Sequence, residues 1–91
     1  MKERFGEYKL FISAKASRKL KIIARSVSKN DVAAALEEIE EDPQNAGKPL
    51  SDELTGRLSF HLEVYRIVYR INEQNKVVQV LDADHRSKIY V

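Results

Sequence analysis

No cysteine occurs in this chain of 91 residues. Disulfide staples and thiolate metal sites are thereby excluded, and the absence suits a reducing, cytoplasmic setting. No apolar run approaches the roughly 20 residues needed to cross a bilayer, so no membrane partner is expected. The N-terminus, MKERFGEYKLF, carries charges but no apolar signal core. Internal repeats and low-complexity segments are missing too. Prolines and glycines are few, and Pro43, Gly47, Pro49 and Gly56 crowd into one stretch, which marks a loop.

What remains is the composition of a small globular protein. Ninety-one residues allow one domain spanning 1–91, with residues 1–7 polar and flexible. Such a chain buries about 60–65% of its unfolded surface, enough for one modest core. With 43% apolar and 33% charged residues it lacks the low-hydrophobicity, one-signed charge of a disordered chain. The net charge of +2 hides an asymmetry: residues 1–30 hold nine Lys/Arg and two Glu, whereas residues 31–56 hold one Lys and eight acids. The two blocks either face each other across a helix pair or present a basic surface to phosphates or an acidic protein.

Tyr8 to Ile12 is short, aromatic and β-branched, and reads as a strand. Ser13 caps a helix in which Ala16, Leu20, Ile23, Ala24 and Val27 recur at helical spacing. Lys15, Arg18, Lys19, Lys21 and Arg25 take its other face, either as a solvated surface or as nucleic-acid contacts. Ser28 and Asp31 resemble a capping box, opening a second helix over Lys29–Glu41 with Val32, Ala35, Leu36 and Ile39 as its apolar stripe. Acids crowd the C-terminal end of that helix, against its dipole, and basic residues of the first helix are expected to offset them. Pro43 ends it. A loop from Gln44 to Gly56 follows, pinned by Leu50 and Leu54. Three strands close the chain: Leu58–Leu62, Tyr65–Ile71 and, after a turn at Asn72–Asn75, the nearly all-apolar Val77–Leu81. A short turn or helix ends it. The expected fold is α+β in the order β-α-α-β-β-β, with a helical hairpin on one face of a small antiparallel sheet.

Alternation along the strands sends Phe60, Ile67 and Tyr69 to the helices. It leaves Ser59, His61, Arg66, Arg70 and Gln79 on the other face, which should be open because buried arginines are costly. His85, Arg86, Lys88 and Tyr90 follow the last strand. Arginine binds phosphate oxygens with paired donors, and histidine exchanges protons near neutrality. Tyrosine stacks on a base, worth about 1–3 kcal/mol. RNA carries its own nucleophile in the 2′-OH, so such a face needs no metal and no cofactor to cut it. Taken singly, exposed strand arginines are ordinary solvated residues, a lone strand histidine such as His61 is more often structural, and Tyr90 could be a lid on the core.

Several motifs fall in a familiar order. Asp42-Pro43 ends the second helix and Gly47-Lys48-Pro49-Leu50 follows. Glu53-Leu54-Thr55-Gly56 leads into a strand, Tyr65-Arg66-Ile67-Val68-Tyr69 forms the next, and His85-Arg86 with Tyr90 closes the chain. In these the chain resembles the RelE/ParE superfamily of toxins from bacterial type II toxin–antitoxin systems, over residues 8–91. The resemblance implies a cognate antitoxin that wraps the toxin and any operator DNA bound only through that complex. RelE-like members cut mRNA in the A site of the 70S ribosome; ParE-like members poison DNA gyrase. The RelE-like working groups carry over to Arg66, Arg86 and Tyr90. Where many RelE-like members have two basic residues, this chain has Ser59 and His61, so His61 or His85 would take the proton, with Glu63 a further candidate base. Lys48, Arg57, Lys88 and the first-helix cations would contact RNA backbone. The favoured expectation is a metal-independent mRNA endoribonuclease. The alternatives are a ParE-like gyrase inhibitor and an inactive member serving only as its antitoxin's regulatory partner.

Overall fold

The computed structural model describes residues 7–51 and 55–89. Of the start expected to be flexible over residues 1–7, residues 1–6 lie outside them, as do the loop residues Glu53 and Leu54, and Tyr90. The elements run β1 (Lys9–Ile12), α1 (Ala14–Ser26), α2 (Lys29–Glu41), α3 (Pro43–Ala46), β2 (Lys48–Pro49), β3 (Leu58–Leu62), β4 (Tyr65–Asn72), β5 (Val77–His85) and α4 (Arg86–Ile89). The expected loop between the second helix and the sheet thus contains one helical turn and a two-residue edge strand. Among the described residues no helix is long and apolar enough to cross a membrane.

Both long helices begin as their sequences dictate. The Ser13 hydroxyl accepts the Ala16 amide at 3.0 Å, and that of Ser28 accepts the Asp31 amide at 3.0 Å. From α1, Ala16, Leu20 and Ile23 are buried; from α2, Val32, Ala35 and Ile39. They pack on Phe60, Ile67, Tyr69, Val78, Val80 and Ala83 of the sheet, so the helical hairpin covers one face as expected.

The sheet differs from expectation in one respect. Its order is β1-β5-β4-β3-β2, and β1 pairs with β5 in parallel, so it is mixed rather than antiparallel. The α1–α2 hairpin carries the chain over the sheet, which leaves the edge of β5 for β1. The nearly all-apolar strand, β5, is flanked on both sides, by β1 and β4.

One irregularity decides what the far face carries. Tyr69 pairs with Val80 but Val68 pairs with Asp82, so Leu81 is an extra residue, a bulge in β5. Simple alternation from Val78 and Val80 would have driven Asp82 and Asp84 into the core. The bulge resets the phase: Ala83 goes to the core, and the two aspartates go to the face that carries Arg66 and Val68.

Candidate functional site

The open face of the sheet is built from the β3–β4–β5 ladder. His61 pairs with Arg66 and Arg66 with Asp84; one step along, Lys48 pairs with Ser59, Ser59 with Val68 and Val68 with Asp82. Directly paired residues share a face, so Lys48, Ser59, His61 and Arg66 lie on one surface. Arg86 joins them from the chain that follows: its amide donates to the Val64 carbonyl at 2.8 Å, fastening the start of α4 to the β3–β4 turn.

This face is less open than its residue types suggest. Arg66 is only 7% exposed and Ser59 5%, whereas His61 and Arg70 are exposed. A buried guanidinium needs partners. That of Arg66 donates to the Tyr65 carbonyl at 3.0 Å and to the Glu63 carbonyl at 3.5 Å, which orients it against the turn. The ring of His61 is held below the ordinary histidine value, first by loss of solvent around it and then by the positive charges of Arg66, Arg86 and Lys48. Its imidazole is therefore neutral at neutral pH and able to accept a proton.

His85 stands elsewhere. It pairs with Tyr65, on the face that holds Ile67 and Ala83, and its ring meets Tyr65 edge-on at 6.0 Å. Its Nδ1 accepts the Ser87 amide at 3.2 Å, capping α4, and lies 3.0 Å from the Ser87 hydroxyl. The two candidate bases are thus separated by the sheet, and only His61 shares a face with Arg66. Glu63 is exposed in the turn, and its backbone carbonyl rather than its carboxylate meets Arg66.

Of the expected RNA contacts, Lys48 belongs to the His61 cluster. Arg57 and Lys88 meet elsewhere on the open face, in a cleft under α4 that Lys15 also lines. Two of the first-helix lysines expected to offset the acids of α2 turn to β5 instead. Lys19 reaches Asp84 at 2.6 Å and Asp82 at 3.7 Å, and Lys15 reaches Asp82 at 3.4 Å, clasping α1 to β5 beyond the end of β1. The hydrogen bond from Lys19 comes first among the causes that hold the Asp84 carboxyl below its ordinary value. Asp82 and Asp84 were not among the candidates drawn from the sequence, and Lys15 was expected on the solvent face of its helix rather than on β5. The alternation Leu81-Asp82-Ala83-Asp84-His85 was the available signal that the strand continues.

Comparison with known proteins places the chain. Residues 10–90 match the family described as the ParE toxin of type II toxin–antitoxin system, parDE. Toxin RelG of Mycobacterium tuberculosis is 39% identical over 59 residues, covering 65% of this chain and 68% of RelG. Toxin RelE of the same organism is 29% identical over 83 residues, covering 91% of this chain and 86% of RelE. Among solved structures, the RelBE2 toxin–antitoxin complex of M. tuberculosis superposes with a TM-score of 0.73 at 29% identity, covering 94% of this chain and 99% of that one.

Proposed function

The chain belongs to the ParE-toxin family and is a toxin of a type II toxin–antitoxin system, and from that premise we propose that it is a ribosome-dependent mRNA endoribonuclease. The observation that carries this reading is the grouping of His61, Arg66 and Lys48 on one sheet face, with Arg86 at the start of α4 near enough to act on the charge of His61. Neutral His61 takes the proton from a 2′-OH of the mRNA. The freed oxygen attacks the adjacent phosphorus, forming a 2′,3′-cyclic phosphate and breaking the bond to the 5′-oxygen, which leaves as a hydroxyl after protonation. Arg66, oriented by the turn carbonyls, holds the scissile phosphate, and Arg86 stabilises the charge that builds on it. Tyr90 is assigned by resemblance to stacking on or orienting the nucleotide. The 70S ribosome supplies the mRNA in position, and the protein acts in the cytoplasm.

The cognate antitoxin is the other partner. Between α1 and α2 runs an apolar groove of about 290 Å3, walled by Leu20, Ala24, Val32 and Leu36 and edged by Lys21 and Lys29. An amphipathic helix with acidic flanks suits it. The likeness to RelBE2, solved as a toxin–antitoxin complex, supports such wrapping.

The family match to ParE toxins favours a second reading, inhibition of DNA gyrase by binding alone. Two assays on one preparation separate them. Cleavage of mRNA on programmed 70S ribosomes with gyrase supercoiling unimpaired is the expected result. Intact mRNA with supercoiling abolished would replace the first reading by the second.

A further inference from the structure

Under α4 the open face hollows into a cleft of about 360 Å3. That lies at the small end of the roughly 300–1,000 Å3 of ligand pockets, with room for a base and little more. Its walls are of two kinds. Val68, Leu81 and Ile89 form an apolar floor and side, and Val68 is only 4% exposed although it stands on the polar face of β4. Arg57, Lys88 and Lys15 bring three cations to the rim, against one acid, Asp82. The Asp82 carboxylate already accepts its neighbour's amide, Ala83 N–H, at 2.8 Å and lies 3.4 Å from Lys15.

We propose that this cleft is a nucleotide subsite distinct from the His61–Arg66–Arg86 cluster, with its base on the Val68–Leu81–Ile89 floor and its phosphate on Arg57 and Lys88. Apolar walls suit the flat face of a base and exclude water from it. Two cations at the mouth suit one phosphate. Asp82 sets which base is held. An ionised carboxylate only accepts hydrogen bonds, so it favours a base edge with adjacent donors, as guanine presents, over uracil with its single N–H. The bulge at Leu81 is what makes the site: it supplies part of the wall and turns Asp82 toward it. The assignment rests on the nuclease reading only for the source of the nucleotide, an RNA strand running past the scissile site.

The test is a titration of 15N-labelled protein with 5′-GMP and 5′-UMP, followed by amide shifts. GMP should give saturable shifts centred on Val68, Leu81, Asp82 and Lys88, with an affinity about fivefold above that of UMP. Asp82→Asn should erase the preference, and Arg57→Gln with Lys88→Gln should weaken both nucleotides about tenfold. The Arg57 and Lys88 changes fall at the cleft mouth, and the spectrum itself reports whether the Asp82 variant is folded. Shifts that never saturate, that centre on His61 and Arg66, or that persist unchanged in the double variant would overturn the subsite. Equal affinity for the two nucleotides in the native protein would overturn the role of Asp82. Ribosomal mRNA cleavage by the same preparation is scored separately. Cutting with a silent cleft removes the subsite alone; a cleft that binds GMP in a protein that cuts nothing removes the nuclease reading alone.

Discussion

His61 and Arg66 stand opposite each other across the β3–β4 ladder, on the face turned away from the helices. Their placement separates His61 from His85, which lies on the other face and caps α4. Replacing His61 with glutamine should lower single-turnover cleavage by about 10²–10⁴, the range for losing a general base. Replacing His85 with glutamine should leave that rate nearly intact and cost about 1 kcal/mol of stability through the lost cap. Quench-flow cleavage and chemical denaturation of both variants check this; a larger rate loss at His85 than at His61 would reverse the assignment.

The charges around His61 make its titration a direct readout of the cluster. Desolvation and three cations lower its pKa, so the ring protonates only below the ordinary histidine value of about 6.5. The acid limb of kcat/KM, which reports the free enzyme, should therefore fall below that value. Removing one cation by Lys48→Gln must move the ring midpoint upward, since less positive charge opposes protonation. An NMR titration of the ring protons measures it; a midpoint unmoved or lowered by Lys48→Gln contradicts the cluster.

A packing contact behind the site should be equally sensitive. A methyl group on Gly47 would come within 2.6 Å of the Tyr69 hydroxyl and 2.9 Å of the Ser59 carbonyl. The Tyr69 hydroxyl is buried, donates to the Pro43 carbonyl at 2.7 Å, and has its pKa pushed up to about 12, chiefly by burial. Gly47→Ala should cost about 1–3 kcal/mol by overpacking, and Tyr69→Phe about 1–2 kcal/mol by leaving that carbonyl unpaired. The double variant should cost less than the sum, because removing the hydroxyl relieves one of the two close contacts. Urea melts of the four proteins give the coupling; strict additivity would argue against the contact.

Much of this was legible in the chain. The capping serines, the 3.6-residue stripes of both helices and the period-two strands followed from local chemistry, and the shared face of His61 and Arg66 followed from alternation. The parallel β1–β5 pairing was not legible, because a short strand carries no mark of which edge it will join. The bulge at Leu81 was hidden for a related reason: an apolar run has no visible phase, so its reset showed only in where Ala83 and the two aspartates fell. The burial of Arg66 depends on backbone carbonyls of the turn, which no residue code displays.

That turn offers a stabilising change. Glu63 sits at φ 56°, in the left-handed region that costs a residue with a Cβ about 1–2 kcal/mol. Glu63→Gly should raise stability by about 0.5–1 kcal/mol, the relief being partly offset by the greater freedom of glycine in the unfolded chain. Thermal unfolding measures it. The carbonyl that meets Arg66 is retained, so cleavage should be unchanged; a lower melting temperature would count against the strained turn.

The central claim is that one sheet face cuts mRNA, and primer extension on a defined mRNA in purified 70S ribosomes tests it most directly. The native protein should produce discrete breaks at the A-site codon, with Arg66→Ala, Arg86→Ala and His61→Gln each abolishing or sharply reducing them while remaining folded. Intact mRNA with the native protein, or breaks that survive all three substitutions, would contradict it.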